Sequence, residues 1–185
     1  MRGTLECCIF PLTGHPPMDH TGWEKVILSA REWGLNHLRF HSWCPPKAAF
    51  EVADKMGIYL QVELPLWSLT VGKDPATNRF LYDEADRIIT EYGNHPSFCF
   101  FSMGNELQPD FVFLKDLMVS IKEKDPRHLY TTTSFTLERG HGDWPEPDDD
   151  FFITQWTKNG WVRGQGVFND EPPCFNKDYA EAVKD

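Results

Sequence analysis

Cations are scarce in this sequence. Lys and Arg total 18 against 28 Asp and Glu, a net charge of −10, which disfavours nucleic acid as a partner because phosphate binding needs clustered positive charge. No apolar run approaches the ~18 residues of a membrane-spanning helix. The chain starts Met1-Arg2-Gly3 and enters an apolar segment at once, without the layout of a secretory signal. That start reads as a cut at a domain boundary, which leaves localisation unknown. Cysteines at 7, 8, 44, 99 and 174 form no Cys-x-x-Cys pair and no zinc-like spacing. Cys7, Cys8 and Cys99 lie in apolar strand-like runs and are expected to be buried thiols. The Gly-rich turn of a nucleotide-binding sheet is missing. No cofactor is expected, and no metal, because His37, Arg39 and His41 on one strand face lack an acidic or His partner at ligand spacing.

What is present is apolar and regular. Apolar residues make up 41% and aromatics 14%, with seven Trp, which fits a folded globular chain. Strand and helix alternate throughout. Leu5–Phe10 reads as strand one, and Thr21 with Glu24 as the capping box of a helix whose Trp23, Val26, Ile27 and Ala30 share a face before Gly34 closes it. Asn36–Phe40 is strand two, followed by a helix opened by Pro45-Pro46 and closed by Gly57. Strand three is Ile58–Glu63, and a loop over Leu64–Arg79 leads to the next helix. Ser97–Met103 is strand four, Pro109 starts a helix, and Leu129–Ser134 is strand five. A loop over Thr136–Asp150 precedes strand six at Phe151–Trp156, and a short helix is expected over Tyr179–Lys184.

Such βα units predict a parallel sheet covered by helices. Polar residues collect at the C-terminal ends of several strands: Arg39 and His41, Glu63, Asn105 and Glu106, Gln155 and Trp156. Side chains at strand ends can line a cleft, and their spread over several strands predicts a (β/α)8 TIM barrel over an open doubly wound sheet. At 185 residues the chain is short of the ~250 of a full barrel, so the barrel is expected to be incomplete, with about six of eight strands present.

Gly104-Asn105-Glu106 sits where a barrel glycosidase needs its general acid/base. Retaining glycoside hydrolysis uses two carboxyl groups about 5–5.5 Å apart, one protonating the leaving oxygen and one attacking the anomeric carbon. Glu106 suits the acid/base role, and Asn105 suits a hydrogen bond to the sugar 2-hydroxyl. Arg39 can orient the partner carboxylate or be a structural ion-pair partner of Glu63. His41 is open between packing and substrate contact. Among Trp43, Trp67 and Trp156, one is expected as a sugar platform.

Four segments occur in order: Arg2-Gly3 before strand one; Gly34-Leu35-Asn36-His37-Leu38-Arg39 with His41; Gly57-Ile58 leading to Glu63-Leu64-Pro65; and His95-Pro96-Ser97 running to Gly104-Asn105-Glu106. Over roughly residues 2–107 the sequence resembles the barrel domain of family 2 glycoside hydrolases, the β-galactosidase, β-glucuronidase and β-mannosidase group. The resemblance implies a retaining β-glycosidase, β-galactosidase-like, with Glu106 as acid/base and Asn105 as its sugar-binding neighbour. It places Arg39 beneath the second carboxylate, and Glu63 and His41 at the sugar site. One departure stands at His41, two residues after Arg39 where the family's commonest pattern has three and a following Pro. A bacterial, periplasmic or secreted protein is also implied.

In that family the nucleophilic Glu ends strand seven. Glu138, Glu146, Glu171 and Glu181 lie in loop or helix contexts, so the nucleophile is expected beyond residue 185. Residues 1–185 are then expected to be a partial catalytic barrel of a larger multidomain glycosidase, inactive alone and prone to self-association through open barrel edges. A glycoside or oligosaccharide is the expected partner. The alternative is a non-catalytic carbohydrate-binding barrel.

Overall fold

The computed structural model describes residues 1–108, 110–134 and 148–151 in full, and the backbone of two further strands over 152–157 and 160–168. Five strands, β1 (Gly3–Glu6), β2 (His37–Phe40), β3 (Tyr59–Glu63), β4 (Phe98–Ser102) and β5 (Leu129–Thr131), form one sheet. Every pairing is parallel, and the spatial order follows the chain order. A doubly wound sheet reverses its order at a switch point, whereas a barrel steps always to the next strand. The sheet is therefore a run of an α/β barrel, as expected.

Helices α1 (His20–Glu32), α2 (Lys47–Met56), α3 (Pro75–Tyr92) and α4 (Phe111–Lys124) cross between the strands. The N-cap of α1 is Asp19, whose carboxylate accepts from Gly22 N at 2.7 Å. This corrects the Thr21/Glu24 capping box: Asp19 supplies the cap oxygen one turn-step earlier, and Glu24 is left to pair with Lys55 at 3.1 Å. At its other end Gly34 takes φ +72°, with Gly34 N bonded to Arg31 O and Leu35 N to Ala30 O, a Schellman closure. Helix α3 starts within the expected loop, because Asp74 caps Thr77 N at 2.9 Å and Pro75 is preset for the first turn.

The sheet has two different faces. Leu38, Phe40, Leu60, Val62, Phe101 and Tyr130 pack under the helices with Trp23, Ile27 and Phe50 in the main core. The opposite face is polar yet buried: His37, Arg39, Gln61, Glu63, Ser102 and Thr131. Phe100 and Phe151 form a small apolar cluster apart from the main core.

Three expectations change. Strand one ends at Glu6, where Cys8 turns to φ +55° and donates its N–H to the Glu6 carboxylate at 3.1 Å. The turn leaves Cys7 and Cys8 exposed rather than buried, and Cys99 is half-buried. Strand six does form, as β6 (Phe152–Thr157), but it pairs antiparallel with β7 (Gly160–Phe168) in a separate two-stranded sheet. Two residues between strands allow a hairpin only, since a parallel crossover needs a dozen or more. The expected helix over 179–184, most of the 136–150 loop and the side chain of Trp156 lie outside the described residues.

Candidate active site

The polar face of the sheet ends in a charged knot. Arg39 and Glu63 stand two strand-steps apart on neighbouring parallel strands, both pointing into the barrel. Arg39 Nε donates to Glu63 Oε1 at 2.5 Å, and its Nη2 donates to Asn105 Oδ1 at 2.5 Å. The three side chains are almost wholly buried, at 3%, 0% and 2% exposure. A buried ion pair offsets its desolvation only when the remaining lone pairs are satisfied. Here Ser42 N donates to Glu63 Oε2 at 2.8 Å and Gln61 Nε2 to Glu63 Oε1 at 3.2 Å.

Of the two roles open for Arg39, the structure shows the ion pair with Glu63, and it adds a bond to Asn105 that the sequence did not suggest. Because a guanidinium only donates, the Asn105 atom facing it must be the carbonyl oxygen. Its NH2 group is turned away from Arg39 and remains a donor for a ligand hydroxyl.

Glu106 is held by its backbone. Gly104 has φ +149°, and a Cβ there would lie 2.6 Å from Leu66 O, so only glycine fits. Asn105 N bonds Leu66 O at 3.1 Å, Ser134 N bonds Gly104 O at 2.9 Å, and Leu107 N bonds Thr133 Oγ1 at 3.1 Å. The turn after β4 is therefore stitched to the loops after β3 and β5. Glu106 itself takes φ +51°, which lifts its half-buried carboxylate to the rim. There Trp67 Nε1 donates to Glu106 Oε2 at 3.0 Å.

The structure brings together Arg39, Glu63 and Asn105 as one network, and Glu106 and Trp67 as an adjacent pair. His41 is half-buried beside them, with Nδ1 3.2 Å from Ser42 Oγ, and makes no bond to the network among the described residues. Trp43 is half-buried and tied to the core: its Nε1 donates to Glu6 O at 3.1 Å and its ring packs against Trp23 and Phe40. Trp67, at 62% exposure, presents its ring to solvent. Sequence reading missed Gln61, which bridges Glu63 and Ser134 Oγ, although its place two residues before Glu63 puts it on the same strand face. The role of Ser134 depends on a contact across the sheet that no local pattern announces.

Deeper in the same face, His37 is buried with its Nε2 unbonded, and burial with the nearby Arg39 charge pushes its pKa down to about 3. Among the described residues, no group of three or more His, Cys, Asp or Glu could hold a metal ion.

No family model matches the sequence. A β-glucuronidase from Bacteroides fragilis is 26% identical over 163 residues, covering 80% of this chain and 21% of the relative. The chain thus spans about a fifth of that protein's length. Among solved structures, a family 2 β-galacturonidase from Eisenbergiella tayi bound to galacturonate matches with TM-score 0.66 and 17% identity, covering 74% of this chain and 25% of its own. Bacteroides uniformis β-glucuronidase 2 matches at TM-score 0.64 and 19% identity, over 74% of this chain and 18% of its own. With consecutive parallel strands that carry polar residues at their C-terminal ends, the chain has the fold of part of an α/β barrel and is similar over most of its length to part of these family 2 glycoside hydrolases.

Proposed function

We propose that the chain carries the acid/base half of the active site of a retaining β-glycoside hydrolase, within the catalytic barrel of a larger multidomain protein. The observation that carries this reading is the layered geometry at the strand ends. Arg39 binds Glu63 and Asn105 at the buried floor, and Glu106 stands above them at the rim.

The chemistry follows from that layering. The glycone sits over the floor, where the Asn105 NH2 donates to the sugar 2-hydroxyl, an interaction that strengthens as positive charge builds at the anomeric carbon. Glu106 delivers its proton to the glycosidic oxygen while a second carboxylate attacks the anomeric carbon to form a glycosyl-enzyme. The leaving group departs as an alcohol. Glu106, now ionised, takes a proton from water, and the water oxygen displaces the enzyme carboxylate. The second carboxylate is expected at the end of barrel strand seven, as the family resemblance implies. The charged groups of the floor already hold one another through hydrogen bonds, so the site is preorganised before charge develops.

The names of the similar proteins place uronides first among sugars to test, with β-galactosides as the comparison. The deciding experiment is Glu106→Ala in the complete protein. Hydrolysis of glycosides with poor leaving groups should collapse, activated aryl glycosides should still form the glycosyl-enzyme, and azide should restore turnover as a β-glycosyl azide. Equal loss across leaving groups with no azide product refutes the assignment.

A further inference from the structure

We propose that Cys7 and Cys8 form a two-thiol site for a trivalent organoarsenical, at the rim of the sugar site. The placement at a sugar site rests on the reading of Arg39, Glu63 and Asn105 as the seat of the glycone; the capture itself does not. Both thiols are free and exposed, directly after β1. Leu5 pairs in register with Arg39, and His41 N bonds Glu6 O at 2.9 Å. Alternation along the chain then makes Cys7 the next position on the face that carries Arg39. Its thiol lies within electrostatic reach of the floor. Partial desolvation and then the Glu6 charge raise the Cys7 pKa, Arg39 lowers it, and Glu63 raises it.

The local backbone lets the two sulfurs meet. Consecutive side chains of a strand point to opposite faces. Here the strand stops at Glu6, whose two carboxylate oxygens accept from Cys8 N at 3.1 and 3.2 Å, and Cys8 takes φ +55°. The alternation ends with the strand, so the Cys8 sulfur is no longer held on the far side from Cys7.

Ring strain and ligand number select the occupant. Neighbouring Cα atoms lie ~3.8 Å apart, closer than the ~4.4–6.8 Å of ordinary disulfides, so the pair resists closing on itself. One atom inserted between the sulfurs widens the ring and relieves that strain. A structural zinc ion needs four ligands, and among the described residues no group of three or more His, Cys, Asp or Glu could hold a metal ion. An arsenic atom that already carries one carbon substituent is completed by two sulfurs. The step balances without an oxidant. Two As–OH groups and two S–H groups give two As–S bonds and two molecules of water, and arsenic stays trivalent. Cys44 and Cys99 are half-buried and not adjacent in sequence to another thiol, with Sγ donating to Pro45 O at 3.6 Å and Pro96 O at 3.5 Å.

Phenylarsine oxide tests the site on the 185-residue chain. Intact-mass spectrometry should show one adduct at equimolar reagent, carried by the peptide that holds Cys7 and Cys8. It should survive excess mercaptoethanol and be removed by ethanedithiol. Cys7→Ser or Cys8→Ser should weaken retention about a hundredfold, because the second As–S bond forms within one molecule. Both side chains are exposed, so neither variant should shift the thermal melt. An adduct that maps to Cys44, Cys99 or Cys174, or that persists in either variant, overturns the proposal. Loss of two hydrogens from Cys7 and Cys8 under oxidised glutathione overturns the choice of arsenic, because the pair would then close as a disulfide. In the complete protein the adduct should block glycoside hydrolysis, and ethanedithiol should restore it. Capture without inhibition overturns the rim placement alone. Failed azide rescue of Glu106→Ala sinks the reading of the catalytic site and leaves the capture standing.

Discussion

The indole N–H of Trp67 reaches the carboxylate of Glu106 at 3.0 Å, a bond between the loop after β3 and the turn after β4. It fixes where the carboxylate points, with one oxygen held and the other free. In the complete protein, Trp67→Phe removes the donor and keeps a ring. Turnover of glycosides with poor leaving groups is expected to fall about tenfold, the worth of one hydrogen bond of ~1.4 kcal/mol, while activated aryl substrates change little. The slope of log kcat/KM against leaving-group pKa reads this, and an unchanged slope counts against it.

The floor of the site should fail when one partner is removed. Arg39→Met leaves Glu63 wholly buried without its cation, a loss expected at ~3–5 kcal/mol. Glu63→Gln keeps the hydrogen-bonding shape and should cost less, and Arg39→Met with Glu63→Gln should cost less than the sum of the two single losses. Urea unfolding of the four chains completes the cycle. Strict additivity would show that the pair does not interact.

The pKa of His37 is lowered from 6.5 to about 3 by burial first and then by the Arg39 charge. The unfolded chain takes up a proton on this group below pH about 6.5, and the folded chain does so only near 3. Folding stability should therefore decrease as pH falls through that window and level off below it. For a group so fully buried the contribution is on the order of several kcal/mol. Replacing His37 with Phe removes the titration, so the difference in urea midpoint between the two chains should grow on acidification. A pH-independent difference would contradict the assignment.

Gly104→Ala should distort the turn that presents Glu106. The new Cβ meets Leu66 O at 2.6 Å, at a φ of +149° that side chains rarely adopt. A destabilisation of about 1–3 kcal/mol is expected, with catalytic loss in the complete protein larger than the stability loss alone produces. A thermal melt together with kcat/KM separates the two effects.

Much of the scaffold was legible because each element carries a local signal. The alternating runs of β2 and β3, the continuous apolar run of β4, Gly34 and Gly57 at left-handed helix ends, and Glu106 at a strand end all follow from neighbours in sequence. Misreadings arose where two local signals competed. Asp19 and Thr21 both suit an N-cap, and only the packed chain shows that Glu24 is engaged by Lys55. Cys7 and Cys8 continue an apolar run, yet the Glu6 carboxylate captures Cys8 N and ends the strand. Only two positions separate Thr157 from Gly160, too few for a parallel crossover, and this chain length overrode the parallel pairing expected of β6.

The sequence by itself determined the alternation of strand and helix and the placement of Arg39, Glu63, Asn105 and Glu106 at strand ends, since periodicity and turn chemistry act over a few residues. Only the tertiary structure decided that Arg39 binds both Glu63 and Asn105, that Gln61 and Ser134 complete the network, and that Trp67 rather than Trp43 faces the rim. Those contacts join residues 24 to 73 positions apart. Their geometry follows from the register of parallel strands, which no single stretch of the chain encodes.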